Sequence, residues 1–237
     1  MSFDGLKRGH YGAVLADPPW RFRTWNKRTS IPRTRSSGTN VCAAAHYDTM
    51  AIEDICALPV VDLAAPDCSL FLWCCWPNLL DALVVIEAWG FEFKSAAFVW
   101  TKAHAGQVEM FRDDADGLLG MGYWTRANTE PCLLATRGKP KRINADVRQA
   151  IIEPRREHSR KPACAHQRIE RLVAGPYLEL FARQRRPGWD VWGNEVDKFP
   201  QQPDDYDATD DFARSIDEAY RVIRERKANG GKGWTPP

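Results

Sequence analysis

Asp17, Pro18, Pro19 and Trp20 follow directly on the apolar run "YGAVLA" of residues 11–16. Neither proline carries an amide hydrogen. Each fixes its own φ and pushes the preceding residue out of the helical region. A strand that runs into them stops at Asp17, with that carboxylate and the Pro18 carbonyl held at its end. This arrangement suits a particular chemistry. An exocyclic amine on a nucleobase is a poor nucleophile, because its lone pair is delocalised into the ring. Two acceptors aimed at its hydrogens, the Asp17 carboxylate and the Pro18 carbonyl, favour the more tetrahedral nitrogen that can accept a methyl group. Trp20 is expected to stack on the base. The catalytic contribution is positioning and electrostatic stabilisation, and the base leaves its stack to reach the site. The competing interpretation is a strand-to-loop turn whose acid caps a neighbouring amide.

The elements that must position these residues alternate along the chain. Strands are predicted at 11–16, 68–75, 92–102, 130–138, 150–154, 177–183 and 189–195, from short apolar runs bounded by Gly, Pro and polar residues. Helices are predicted over 49–58 with Thr49 as N-cap, over 77–90 from Pro77 to Gly90, and over 161–175 from Pro162 to Gly175. This alternation predicts an α/β domain with a largely parallel sheet. Ligands of such sheets bind outside the carboxyl ends of the strands, where Asp17 stands. Residues 21–45 are too long for an ordinary connection, which points to a functional or disordered segment. After Glu195 the composition becomes polar, followed by a predicted helix over 211–228 and a Gly/Pro-rich end. The expected division is 1–197 for the catalytic domain and 198–237 for linker, helix and flexible end.

The net charge of +2 conceals an uneven distribution. Residues 21–35 hold six basic residues and no acid, with further basic clusters at 139–142, 155–161 and 183–186. Acids gather over 203–218. Basic loops interleaved with aromatics, in a chain with ten tryptophans, are the footprint of nucleic-acid binding. Taken singly, each cluster also reads as solvated loop charge. The seven cysteines form no CxxC pair, and Cys164 and His166 lack partners for zinc, so no metal is expected. The thiols read as reduced, the N-terminus lacks an apolar signal region, and no run approaches membrane-spanning length. A cytoplasmic protein without a membrane partner is the expectation.

Beyond the tetrapeptide, "HYDTMAIEDICALP", "LFLWCCWPNLLDALVVIEAWGF", "FVWTK", "GYWTRANTEPCLLATRG", "REHSRKP", "LELFAR" and "GWDVWGNE" follow in order. Over residues 11–195 the chain resembles the DPPW-type adenine-N6 methyltransferase family, which includes the catalytic subunit of the eukaryotic messenger-RNA adenine methyltransferase. The resemblance implies a Rossmann-type methyltransferase fold of permuted order, with the catalytic strand before the cofactor strand, and S-adenosylmethionine as cofactor. It implies catalytic roles for Asp17, Pro18, Pro19 and Trp20. Cofactor contacts are implied for Asp17, Lys161 and Arg183, with Asn194 and Glu195 holding the ribose hydroxyls and the adenosine end. Tyr47, Trp124 and Glu130 match positions around the target base, and Arg23, Arg28 and Arg33 lie in the basic loop expected to cover the nucleic acid or to close over the cofactor. The chain departs from the family pattern after "KP", where Ala163 and Cys164 replace an acidic residue.

The function expected from these observations is methylation of adenine N6 in nucleic acid, with DNA ahead of RNA because no RNA-binding or zinc-finger module is appended. The alternatives are an RNA methyltransferase, a catalytically silent nucleic-acid-binding partner subunit, and an enzyme acting on another amine such as a protein amide. A monomer or homodimer is expected, with a partner subunit as an option.

Overall fold

A computed structural model describes residues 3–21, 49–103, 124–125, 127–154 and 160–199. The elements are β1 (Tyr11–Ala16), α1 (Ile52–Cys56), β2 (Ala64–Trp73), α2 (Leu79–Ala88), β3 (Glu92–Ala103), β4 (Thr129–Arg137), β5 (Ala150–Pro154), α3 (Cys164–Leu172), β6 (Tyr177–Leu180) and β7 (Trp189–Trp192). The strands form one sheet in the order β5-β3-β4-β2-β1-β6-β7. β4 runs antiparallel to both of its neighbours, and every other pairing is parallel.

Side chains alternate across a pleated sheet. Val14, Ala16, Leu70 and Leu72 therefore point to one face, where they pack with Ile55 of α1 and Val85 and Ile86 of α2. Ala13, Leu15, Phe71 and Trp73 point to the other, against Ala165 and Ile169 of α3. A sheet covered on both faces needs apolar residues at successive positions, which is why "LFLW" reads as an unbroken run. Trp89 ties α1 to α2 by donating its indole N–H to the Ile55 carbonyl at 2.9 Å. Gly90, at φ +77°, ends α2 in the left-handed region that other residues avoid.

Several boundaries differ from the sequence expectation. The first helix is shorter than 49–58, and its N-cap is Ala51, with no side-chain cap, so Thr49 does not serve there. β2 ends at Trp73, which leaves Cys74 and Cys75 beyond the strand, and Cys75 opens a single 3₁₀ turn, Trp76–Asn78. β6 and β7 stop at Leu180 and Trp192. The antiparallel β4 has consequences for the site. The chain leaving β3 returns beside it, with Thr101 paired to Thr129, so no crossover to the opposite edge is needed. The first residues of β4 thus lie at the edge where β1, β2 and β3 end.

Candidate active site

Asp17 follows the last residue of β1, and the three residues after it are fixed by backbone bonds. The Pro18 carbonyl accepts from the Trp20 amide at 2.8 Å, and the Pro19 carbonyl accepts from the Met50 amide at 3.0 Å. The Trp20 indole N–H donates to the Trp73 carbonyl at 2.9 Å, pinning the turn to the end of β2. Trp20 is 4% exposed and packs into the α1/α2 core. It is not the open stacking plate expected from sequence. A buried indole has one N–H to satisfy, and the last carbonyl of the neighbouring strand satisfies it. The ring therefore braces the turn that presents Asp17.

Asp17 stands in a chain of alternating charges drawn from four elements. Lys161, just before α3, places Nζ 2.9 Å from Oδ1 and 2.9 Å from Oδ2 of Asp17. The same ammonium is 3.4 Å from Glu130 Oε2 at the start of β4. The other oxygen of Glu130 accepts from Lys102 near the end of β3. All four side chains are largely shielded, with exposures of 17–24%. At this burial Coulombic interactions exceed those of surface pairs. Burial pushes the Asp17 carboxyl above its ordinary value, with Lys161 opposing and Glu130 adding to the rise. Burial acts upward on Glu130 as well, but Lys161 and Lys102 outweigh it and hold that carboxyl below the ordinary value. For Lys161, burial favours the neutral amine, and the two carboxylates outweigh it. Burial pushes the neighbouring Cys74 and Cys75 thiols up to about 12.

Asp17 and Lys161 also line a cleft between the end of β6 and the start of α3. Its other charged and amide side chains are Arg160, His166, Glu179, Arg183 and Gln184. Phe199 lies at one side, with its ring 4.9 Å from the Arg160 guanidinium and 6.0 Å from that of Arg183. His166 donates from Nε2 to Glu179 at 2.8 Å, and its buried Nδ1 has no hydrogen-bond partner among the described residues. Cations, two carboxylates and aromatic edges make the cleft suited to a small zwitterionic ligand.

Of the residues proposed from sequence, Asp17, Lys161 and Glu130 come together, and Arg183 shares the cleft. Arg183 Nε donates to Glu195 at 2.9 Å, and Glu195 also accepts from Lys198 at 2.5 Å. The Lys198 hydrogen bond, with Arg183, holds the Glu195 carboxyl below its ordinary value. Asn194 is exposed. Trp124 is 93% exposed, with φ +71°, and is not among the cleft residues. Tyr47, Arg23, Arg28 and Arg33 lie outside the described residues. Sequence reasoning missed Lys102 as a partner of Glu130, and it missed Arg160, His166 and Glu179 in the cleft wall. Glu179 left a trace, an acid inside the apolar run "YLELFA". Trp76 was also missed. It is 46% exposed, and its indole N–H donates at 2.9 Å to Oγ1 of Thr129, the neighbour of Glu130.

Residues 11–195 match the protein family described as MT-A70. The chain is 31% identical over 203 residues to the type II methyltransferase M.MunI of a Mycoplasma species, covering 82% of this chain and 81% of the relative. It is 30% identical over 207 residues to the human N(6)-adenine-specific methyltransferase METTL4, covering 81% of this chain and 39% of that protein. It is 29% identical over 194 residues to the N(6)-adenosine-methyltransferase MT-A70-like protein of Arabidopsis thaliana, covering 79% of this chain and 24% of that one. The chain thus spans most of the Mycoplasma relative and well under half of the human and plant ones.

Proposed function

The chain belongs to the MT-A70 family of adenine methyltransferases, and from that premise we propose that Asp17 is the group that positions the target amine. The reaction is S-adenosylmethionine-dependent methylation of adenine N6. The observation that carries the role of Asp17 is its place: a carboxylate at a strand end, clamped by Lys161, on the wall of the mixed-charge cleft.

The cleft fits the cofactor chemically. S-adenosylmethionine carries an ammonium, a carboxylate, two ribose hydroxyls and a purine, and it supplies a methyl group on an electron-poor sulfonium. Arg160 and Arg183 suit its carboxylate. Glu179 suits a hydroxyl or the ammonium, and the buried Nδ1 of His166, without a partner among the described residues, adds a polar atom. Glu195 reaches this end of the cleft through Arg183. The permuted order belongs to the same proposal. Its support is that Asp17 closes β1, whereas Glu179 and Arg183 belong to β6 and the turn after it, late in the chain.

On the substrate side, Asp17 accepts an N6 hydrogen, and the Pro18 carbonyl keeps a second lone pair beside its bond to Trp20 for the other. Lys161 favours the ionised Asp17 carboxyl, against the opposite push of burial, and holds it in place. That is positioning and preorganised charge, with no covalent step on the protein. Trp76 supplies the exposed indole for stacking that buried Trp20 does not.

For the nucleic acid, RNA now stands ahead of the DNA expected from sequence. N(6)-adenosine-methyltransferase, named for a ribonucleoside, is the name carried by relatives from Arabidopsis, rice, Medicago, Drosophila, human and mouse. DNA is the second reading, favoured because METTL4 is named for the base adenine, and because the match takes in 81% of M.MunI, whose name specifies no ribonucleoside. The test incubates the protein with labelled cofactor and, separately, RNA, single-stranded DNA and duplex DNA, then identifies the modified nucleoside. N6-methyladenosine from RNA is the expected product. N6-methyldeoxyadenosine instead would establish the second reading. Cofactor binding without product in any pool would point to the silent-subunit alternative.

A further inference from the structure

Lys102 touches neither Asp17 nor the cleft wall, yet it is built into the same charge chain. Lys161 serves two carboxylates, Asp17 at 2.9 Å and Glu130 at 3.4 Å. Glu130 is satisfied from its other side by Lys102. Lys102 is itself held in place. Its amide donates to the Asn128 carbonyl at 2.9 Å, and its ammonium lies 5.2 Å from the centre of the Trp100 ring. Trp100 is 3% exposed and fixed by an indole bond to the Glu153 carbonyl at 3.0 Å.

We propose that Lys102 is a positioning residue for the reaction: by satisfying Glu130 it leaves Lys161 seated on Asp17. The inference rests on the reading of Asp17 as the group that positions the amine. Without Lys102, Glu130 has Lys161 as its sole cationic partner in this chain of charges and competes with Asp17 for it. Asp17 then loses part of its counter-ion while Glu130 still faces it. Among the described residues the remaining charged group facing Asp17 is Arg183, whose Nε is engaged by Glu195, and the nearby thiols of Cys74, Cys75 and Cys132 stay protonated at neutral pH. Both effects favour the protonated carboxyl, which is a weaker acceptor for the N6 hydrogen and carries an O–H donor on one of its oxygens.

The test follows Asp17 itself by carbon-13 NMR of labelled aspartate carboxyls in the full chain, with Asp17→Asn identifying the resonance. Lys102→Met is expected to raise the titration midpoint of Asp17 by on the order of one pH unit. Lys102→Arg, which keeps the charge, should restore the wild-type midpoint. Lys102→Met combined with Glu130→Gln should restore it too, since the competitor is then neutral. Lys102→Gln provides a second charge-removing variant if the methionine variant does not fold. An unmoved midpoint in a folded charge-removing variant overturns the proposal, as does an arginine variant that behaves like the methionine one. The titration needs neither cofactor nor nucleic acid. Absence of methyl transfer by the wild type would therefore sink the functional reading and leave this result standing on its own.

Discussion

Two clusters of ion pairs sit at this end of the sheet, and their chemistry is nearly the same. Lys102, Glu130, Lys161 and Asp17 form one, with exposures of 17–24%. Arg185 and Asp197 form the other, an ion pair at 2.9 Å whose members are 62% and 74% exposed. Distance does not separate the two clusters. Shielding does. In the first, each charge has lost most of its water and depends on its neighbours, so removing one leaves another uncompensated. In the second, solvent replaces a lost partner and salt screens what remains. A close ion pair becomes part of a catalytic site only where burial makes its charge state depend on the protein.

The comparison can be broken in four ways, in order of expected effect. Asp17→Asn should lower the rate of methyl transfer by a hundredfold or more, on the order of removing a preorganised group from a transition-state site. Single-turnover assays at saturating cofactor would show it, and a variant with near-normal rate would remove Asp17 from the mechanism. Lys161→Met should cost about 2–3 kcal/mol of stability in urea unfolding, since it strands two carboxylates. This loss has a pH signature. The folded-state value of Lys161 lies above its ordinary 10.5. Its contribution is therefore whole below about pH 10.5 and fades as pH rises through the folded value. The gap between wild type and Lys161→Met should be constant from pH 7 to 10 and narrow only above that; a gap that closes by pH 9 would mean the ammonium is not held.

Trp76→Ala should weaken binding of single-stranded RNA about tenfold, the scale of one lost stacking contact, while calorimetry shows unchanged cofactor affinity. Equal RNA affinity would leave the exposed indole without a role at the site. The smallest effect is expected in the second cluster. Arg185→Gln should change stability by less than about 0.5 kcal/mol. A loss comparable to that of Lys161→Met would refute shielding as the difference between the clusters.

Much of the frame was legible in local patterns. β1 and β5 occupy the ranges expected from sequence, because short apolar runs there end at prolines or polar residues. The stop at Asp17 was legible for the same reason, since proline acts on its immediate neighbours. Gly90 marked the end of α2 through its own backbone freedom. The failures have an equally physical cause. Thr49 had the right type for a cap, but the helix starts at Ile52 because the Met50 amide pairs with the Pro19 carbonyl instead. Trp20 could have faced either the cleft or the core, and the free Trp73 carbonyl at the end of β2 decided for the core.

By itself, the sequence determined the alternation of strands and helices, the placement of Asp17 at a strand end, and membership of the MT-A70 family over residues 11–195. Each of these depends on side-chain periodicity, proline sterics or ordered motifs, which are properties of short segments. Only the tertiary structure decided which charges meet. Asp17 and Lys161 are 144 positions apart, and Glu130 joins them because β4 enters the sheet antiparallel, bringing its first residues to the edge where β1 ends. A carboxylate's charge state is set by the charges around it and by the water it has lost, and both come from the packing of the whole sheet edge.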